Sequence, residues 1–238
     1  MPSETLVLLP GFLCDRTVWE GQIAALADLA RPVVPDYGDL DSLGAMAEYV
    51  LDTVPGAFSV AGHSMGGRVA LEVYRRAPLR VRRIGLFNTG CQSRPEGAAG
   101  DAEAQARYSL LETARSEGMG SMTARWIPPM VHPDRLQDTA LLRRIVEMFG
   151  RKTPEIQEAQ IRALLNRPDA VDVVSSIRCP ALLLSGAQDT FSGPAAHAEM
   201  ARSIPGSQLE IVPESGHMAP MEQPAAVAAA MRRWWTTS

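Results

Sequence analysis

Through the first ninety residues, short apolar runs alternate with stretches whose apolar residues recur at helical spacing. Leu6-Val7-Leu8-Leu9 is short and uninterrupted, which predicts a strand enclosed on both faces. Trp19, Ile23 and Leu26 keep the period of a helix face. Pro32-Val33-Val34-Pro35 predicts a short strand edged by prolines, and Leu43 to Val54 a helix with Ser42 as its N-cap. A strand follows at Ala57-Phe58-Ser59-Val60-Ala61, then a helical run at Val69–Tyr74 and another strand at Ile84–Phe87. Strands of this kind alternating with helices predict an α/β fold with a mostly parallel central sheet and helices on both faces.

From about Arg94 to Asn166 the pattern changes to helices alone. Ala102–Glu117, Asp134–Phe149 and Pro154–Leu165 carry helical spacing, with breaks expected at Gly118, Gly120, Pro128-Pro129 and Gly150. Leu141, Ile145 and Met148 share one face, so the segment reads as a helical insertion rather than a linker. The α/β alternation then resumes: a strand at Ala181–Leu184, a helix at Ala195–Ile204 and a strand at Leu209–Val212. A final helix, Ala225–Trp235, is expected to bury Val227, Met231 and Trp234 or Trp235.

The 238 residues suffice for one domain with a substantial core, and 46% apolar with 21% charged residues is ordinary for a globular chain. A net charge of −4 provides no basic field for nucleic acid. No apolar run reaches the roughly 18 residues of a membrane span, and Met1-Pro2-Ser3-Glu4 lacks the basic n-region of a secretory leader. Cys14, Cys91 and Cys179 are sparse, odd in number and outside any metal or redox spacing, so a cytoplasmic location is expected. Four histidines without an HExxH pattern predict no metal site, and no cofactor is expected. The only lysine, Lys152, lies in a polar turn and reads as solvated.

The chemistry concentrates in Gly62-His63-Ser64-Met65-Gly66-Gly67, between a predicted strand and a predicted helix. Glycines two residues either side of a serine at such a junction form a nucleophile elbow, which strains the serine backbone and lifts its hydroxyl clear of the sheet. A serine needs a base, normally a histidine held by a carboxylate. His217, in the loop after the last strand, is the candidate base, and Asp189, after the Ala181–Ser185 strand, the candidate acid. His63 is adjacent to Ser64 and suits a structural or pocket-lining role; His132 and His197 read as surface residues. The strand after the elbow ends in Asn88 rather than a carboxylate, Glu214 is too near His217 in sequence, and Asp172 reads as part of a helix. The backbone N–H groups of Phe12, in the glycine-containing turn after the first strand, and of Met65 are the candidate oxyanion donors. Within the insertion, Trp126, Met122 and Met130 are candidates for an apolar substrate pocket, and Arg125 reads as a surface arginine.

These motifs resemble those of the α/β-hydrolase fold family, in particular compact serine esterases and C–C hydrolases. The resemblance rests on Leu8-Leu9-Pro10-Gly11-Phe12, Gly62–Gly67, Cys179–Asp189 and Ser215–Pro224 and covers nearly the whole chain. It implies a core of residues 1–93 and 167–238 and a small helical cap, 94–166, inserted after the sixth strand. It also implies hydrolysis of small carboxylic esters by Ser64, His217 and Asp189 without cofactor or metal. A lactone or C–C bond substrate for the same triad is an alternative, as is a non-catalytic ligand-binding protein on this fold. Two departures stand out: the common His-Gly of the oxyanion turn is Pro10-Gly11, and the glycine-rich loop after the second strand is shortened to Asp36-Tyr37-Gly38-Asp39.

Overall fold

The computed structural model describes residues 4–237; Met1-Pro2-Ser3, read above for a leader, and Ser238 lie outside the described residues. In chain order the strands are β1 (Thr5–Leu9), β2 (Arg31–Val33), β3 (Phe58–His63), β4 (Val81–Phe87), β5 (Ala181–Gly186) and β6 (Gln208–Val212). They form one sheet in the order β2-β1-β3-β4-β5-β6, and every neighbouring pair is parallel. All residues of β1, β3 and β5 are buried, which explains their unbroken apolar runs. The edge strand β6 alternates between partly covered and exposed positions over most of its length.

Helices α1 (Glu20–Ala25), α2 (Leu43–Thr53) and α3 (Met65–Arg76) belong to the first half of the sheet. Ser42 caps α2, its hydroxyl accepting from the Ala45 amide at 3.1 Å. Four helices then follow one another: α4 (Gly97–Glu117), α5 (Met119–Trp126), α6 (Thr139–Gly150) and α7 (Pro154–Leu165). The last group is α8 (Val171–Ser176), α9 (Pro194–Ser203), α10 (Ala219–Glu222) and α11 (Pro224–Trp235). Trp234 is the tryptophan of α11 that is fully enclosed, and Trp235 is half-buried.

The helical insertion leaves the sheet after the fourth strand of the chain, β4, and not after the sixth. Only four strands precede it, because the described sheet has six in all. The expected helix Asp134–Phe149 is divided: Pro133–Gln137 is a 3₁₀ turn, and α6 restarts behind Asp138, whose carboxylate caps the Leu141 amide at 3.0 Å. Gly118 does break the chain, at φ +88°, but Gly120 lies inside α5. Lys152 is not solvated; its ammonium is enclosed and pairs with Asp36 at 3.0 Å. No helix among the described residues is long and apolar enough to cross a membrane.

Parallel pairing puts the C-terminal ends of all six strands on one edge of the sheet. From β1 the chain moves outward to β2 and returns on the other side of β1 as β3. This reversal opens a crevice above the ends of β1 and β3, the place where open α/β sheets hold ligands.

Candidate active site

Ser64 follows β3 at φ +54°, ψ −116°, a conformation that an L-residue adopts only under constraint. The constraint comes from both sides. Its amide donates to the Phe87 carbonyl at 2.8 Å, and its carbonyl accepts from the Thr89 hydroxyl at 2.7 Å. The two flanking glycines make the turn sterically possible. A Cβ at position 62 would overlap the Gly66 carbonyl, and one at position 66 would overlap that of Leu9.

Four further strand ends deliver the remaining groups. Phe12 follows β1, Asn88 follows β4, Asp189 follows β5 and His217 follows β6. His217 Nε2 lies 2.8 Å from Ser64 Oγ, and its Nδ1 lies 3.0 Å from each oxygen of Asp189. A carboxylate accepts only, so Nδ1 carries the proton and Nε2 is the acceptor for the serine hydroxyl. The three residues predicted from the sequence thus form one continuous hydrogen-bonded chain. Burial on its own would raise the Asp189 carboxyl. The charge of a protonated His217 and hydrogen bonds from His217, Asn88 and the Phe191 amide outweigh it and hold the group well below the usual carboxylate range. The amides of Phe191 and Ser192 reach Oδ1 at 2.8 and 3.1 Å, and Asn88 Nδ2 reaches Oδ2 at 2.9 Å.

His217 is held through its backbone as well. His63 Nε2 donates to the His217 carbonyl at 2.8 Å, and the His217 amide donates to the Met130 carbonyl at 2.7 Å. Burial pushes the His63 imidazole down to about 3, with the nearby His217 charge acting the same way, so this ring is neutral. Beneath the loop, Glu222 Oε1 accepts from Gly216 and Met218 at 2.9 and 3.1 Å, and Oε2 accepts from His132 at 2.7 Å. One carboxylate therefore ties the residues on either side of His217 to the insertion.

Met65 opens α3 and Phe12 sits in the turn behind β1, both on the wall of the cavity that contains Ser64. Among the described residues neither backbone N–H has a protein acceptor. The next amide, that of Leu13, is taken by Gln160 Oε1 of α7 at 2.8 Å, which anchors the turn to the insertion.

The cavity measures about 320 Å³. Trp126 and Met130 line it, with Trp126 edge-on to Phe12 at 5.2 Å between ring centroids. Met122 does not: one turn before Trp126 on α5, it is fully enclosed and belongs to the hydrophobic core. Two of the histidines read as surface residues are covered. His197 is fully buried; its Nε2 accepts from the Thr89 amide at 3.2 Å and its Nδ1 meets the Gly193 carbonyl at 3.2 Å. His132 is half-buried, its amide held by Glu222. Arg125 is exposed as expected and pairs with Glu117.

Sequence reasoning missed Asn88, Glu222 and His197 as supports, and Arg68, Arg107 and Arg167 as cavity residues. Asn88 was recognised only as a position lacking a carboxylate. The others act across long sequence separations. Glu222 had one local signal, its place five residues after His217 ahead of Gln223-Pro224.

A family model described as the alpha/beta hydrolase family matches residues 6–230. A pimeloyl-[acyl-carrier protein] methyl ester esterase of Nitrosomonas europaea is 27% identical over 223 residues, covering 89% of this chain and 88% of the relative. A thermophilic esterase from Thermogutta terrifontis superimposes with a TM-score of 0.86 at 30% identity, over 98% of this chain and 89% of that one. An enol-lactonase from Burkholderia xenovorans shares the fold, with a TM-score of 0.84 at 21% identity, over 99% of this chain and 92% of its own.

Proposed function

The chain belongs to the alpha/beta hydrolase family, and on that premise we propose that it is a serine hydrolase cleaving small carboxylic esters through an acyl-enzyme on Ser64. The observation that carries the reading is the unbroken chain Ser64 Oγ to His217 Nε2 at 2.8 Å and His217 Nδ1 to Asp189 at 3.0 Å. The relative and the solved structure named as esterases support ester chemistry.

In this reading His217 takes the Ser64 proton as Oγ attacks the ester carbonyl. The C=O π pair moves onto oxygen, and the backbone N–H groups of Phe12 and Met65 receive that oxyanion. Each such donor is worth roughly 2.7–4 kcal/mol in a water-excluded site. Asp189 keeps the imidazole in the right tautomer and stabilises the imidazolium. Collapse of the intermediate breaks the bond to the leaving alkoxide, which takes the proton from His217. Water then repeats the sequence on the acyl-enzyme and releases the carboxylic acid. Residues 94–166 serve as the cap that closes the cavity, through Trp126 and Met130 on the substrate side.

Turnover of a chain-length series of p-nitrophenyl esters, run beside small lactones, tests the reading. It predicts ester hydrolysis that disappears in Ser64→Ala. Turnover of lactones but not of open-chain esters would replace the ester assignment with a lactonase.

A further inference from the structure

The cavity over Ser64 is not uniformly apolar. Three guanidinium groups, Arg68, Arg107 and Arg167, line it with a single acidic side chain of its own, Glu103. Asp189 stands behind His217 and is taken up by it. Glu103 is already committed. It accepts from both Nη atoms of Arg167 at 2.8 Å and from Arg107 Nε at 3.0 Å. One carboxylate against these two cations leaves one positive charge over.

Arg68 adds another. It sits one helical turn past Ser64 on α3, and the hydrogen bond its side chain makes among the described residues runs from Nη1 to the Gln92 carbonyl at 2.8 Å, not to a carboxylate. Burial, reinforced by the charge of Arg167, pushes its guanidinium down to about 10. Arg68 is half-buried on the cavity wall, and a guanidinium there without a carboxylate partner is free to pair with an incoming anion. The same cavity is also lined by the apolar side chains of Ala106, Leu110 and Leu164. A short methylene spacer suits this apolar lining.

We propose that Arg68, backed by Arg107 and Arg167, receives a terminal anion of the substrate, so that the preferred ester carries a carboxylate or phosphate at the end of a short chain. A guanidinium fork suits either group, since both present paired oxygens. This inference rests on the esterase reading for the reaction but not for the binding of the anion, and the tests separate the two.

The first test compares kcat/KM for p-nitrophenyl hemiglutarate, the p-nitrophenyl ester of 4-phosphonobutanoate and neutral p-nitrophenyl pentanoate, each corrected for the rate with Ser64→Ala. Wild-type enzyme should favour one anionic ester over the neutral one by about tenfold, as expected of a charge-assisted hydrogen bond. The better of the two identifies the anion. Arg68→Gln should bring the ratio close to one, and Arg68→Lys should keep most of it. A merely structural Arg68 would lower all three substrates together. The second test needs no turnover: calorimetric titration of wild-type and Arg68→Gln protein with glutarate and, separately, with inorganic phosphate. One of them should bind, and more weakly to the variant. An anion-to-neutral ratio at or below one in the wild type, a ratio unmoved by Arg68→Gln, or no binding of either ion overturns the proposal. Ser64-dependent turnover with no anion preference sinks this inference alone, whereas anion binding without turnover of any ester sinks the esterase reading alone.

Discussion

Asn88 donates from Nδ2 to Asp189 Oδ2 at 2.9 Å and, from the same amide group, to the Gly216 carbonyl at 3.2 Å. A side chain at the end of β4 thereby joins Asp189 to the residue preceding His217. Asn88 stands at φ +48°, a region that asparagine tolerates and glycine adopts freely. Asn88→Gly therefore removes the two hydrogen bonds without adding backbone strain. Leaving a buried carboxylate short of a donor costs about 1–3 kcal/mol. We expect kcat to fall about tenfold with KM little changed, and the melting temperature to drop. Wild-type kcat and melting temperature in this variant would show that the contact is incidental.

Trp126 and Met122 lie on the same helix, α5, and separate pocket from core. Trp126 borders the cavity, whereas Met122 is fully enclosed away from it. Met122→Ala is expected to cost about 2–5 kcal/mol of stability, the usual range for such a truncation, and to leave acyl-chain preference alone. Trp126→Ala is expected to shift preference toward bulkier acyl groups. Denaturant titration and a chain-length series on both variants check the pair; a specificity change in Met122→Ala with none in Trp126→Ala would reverse the assignment.

Stability should fall on the acid side. The buried rings of His63 and His197 titrate below the ordinary 6.5 of a free histidine, His63 at about 3. Between those values the unfolded chain binds protons that the folded chain does not, so stability rises with pH and is lost as pH falls below 6.5. The limiting slope is about 1.4 kcal/mol per pH unit for each such ring. Asp189 acts in the same direction at lower pH, because its folded carboxyl titrates below its unfolded one. Chemical denaturation at a series of pH values should therefore give a decline that begins near 6.5. A stability curve flat down to the carboxylate range, about 4, contradicts neutral burial of the two histidines.

The sequence made the strand–turn–helix frame legible because each strand is a continuous apolar run and each elbow glycine has a local steric cause. Ser64, Asp189 and His217 followed from their places at strand ends, which parallel pairing brings to one edge. The failures share a cause of another kind. His197 looks polar and mid-helix in sequence, yet α9 turns it toward Thr89 and the elbow. Lys152 lies in a polar turn, and only folding brings Asp36 to it. Met122 and Trp126 are equally apolar in sequence and one turn apart on the same face; only Trp126, the last residue of α5, reaches the cavity. The arginines of the cavity come from α3, α4 and the segment beyond α7, and their convergence is a property of the packed helices, not of any local pattern.

The central claim is that Ser64 is the nucleophile, activated by His217. Treatment with a serine-directed phosphonate, followed by intact-mass measurement and peptide mapping, tests it most directly. One phosphonyl group is expected on the peptide containing Ser64, with slow addition in His217→Ala and none in Ser64→Ala. Labelling that persists unchanged in Ser64→Ala, or that maps to another residue, would contradict it.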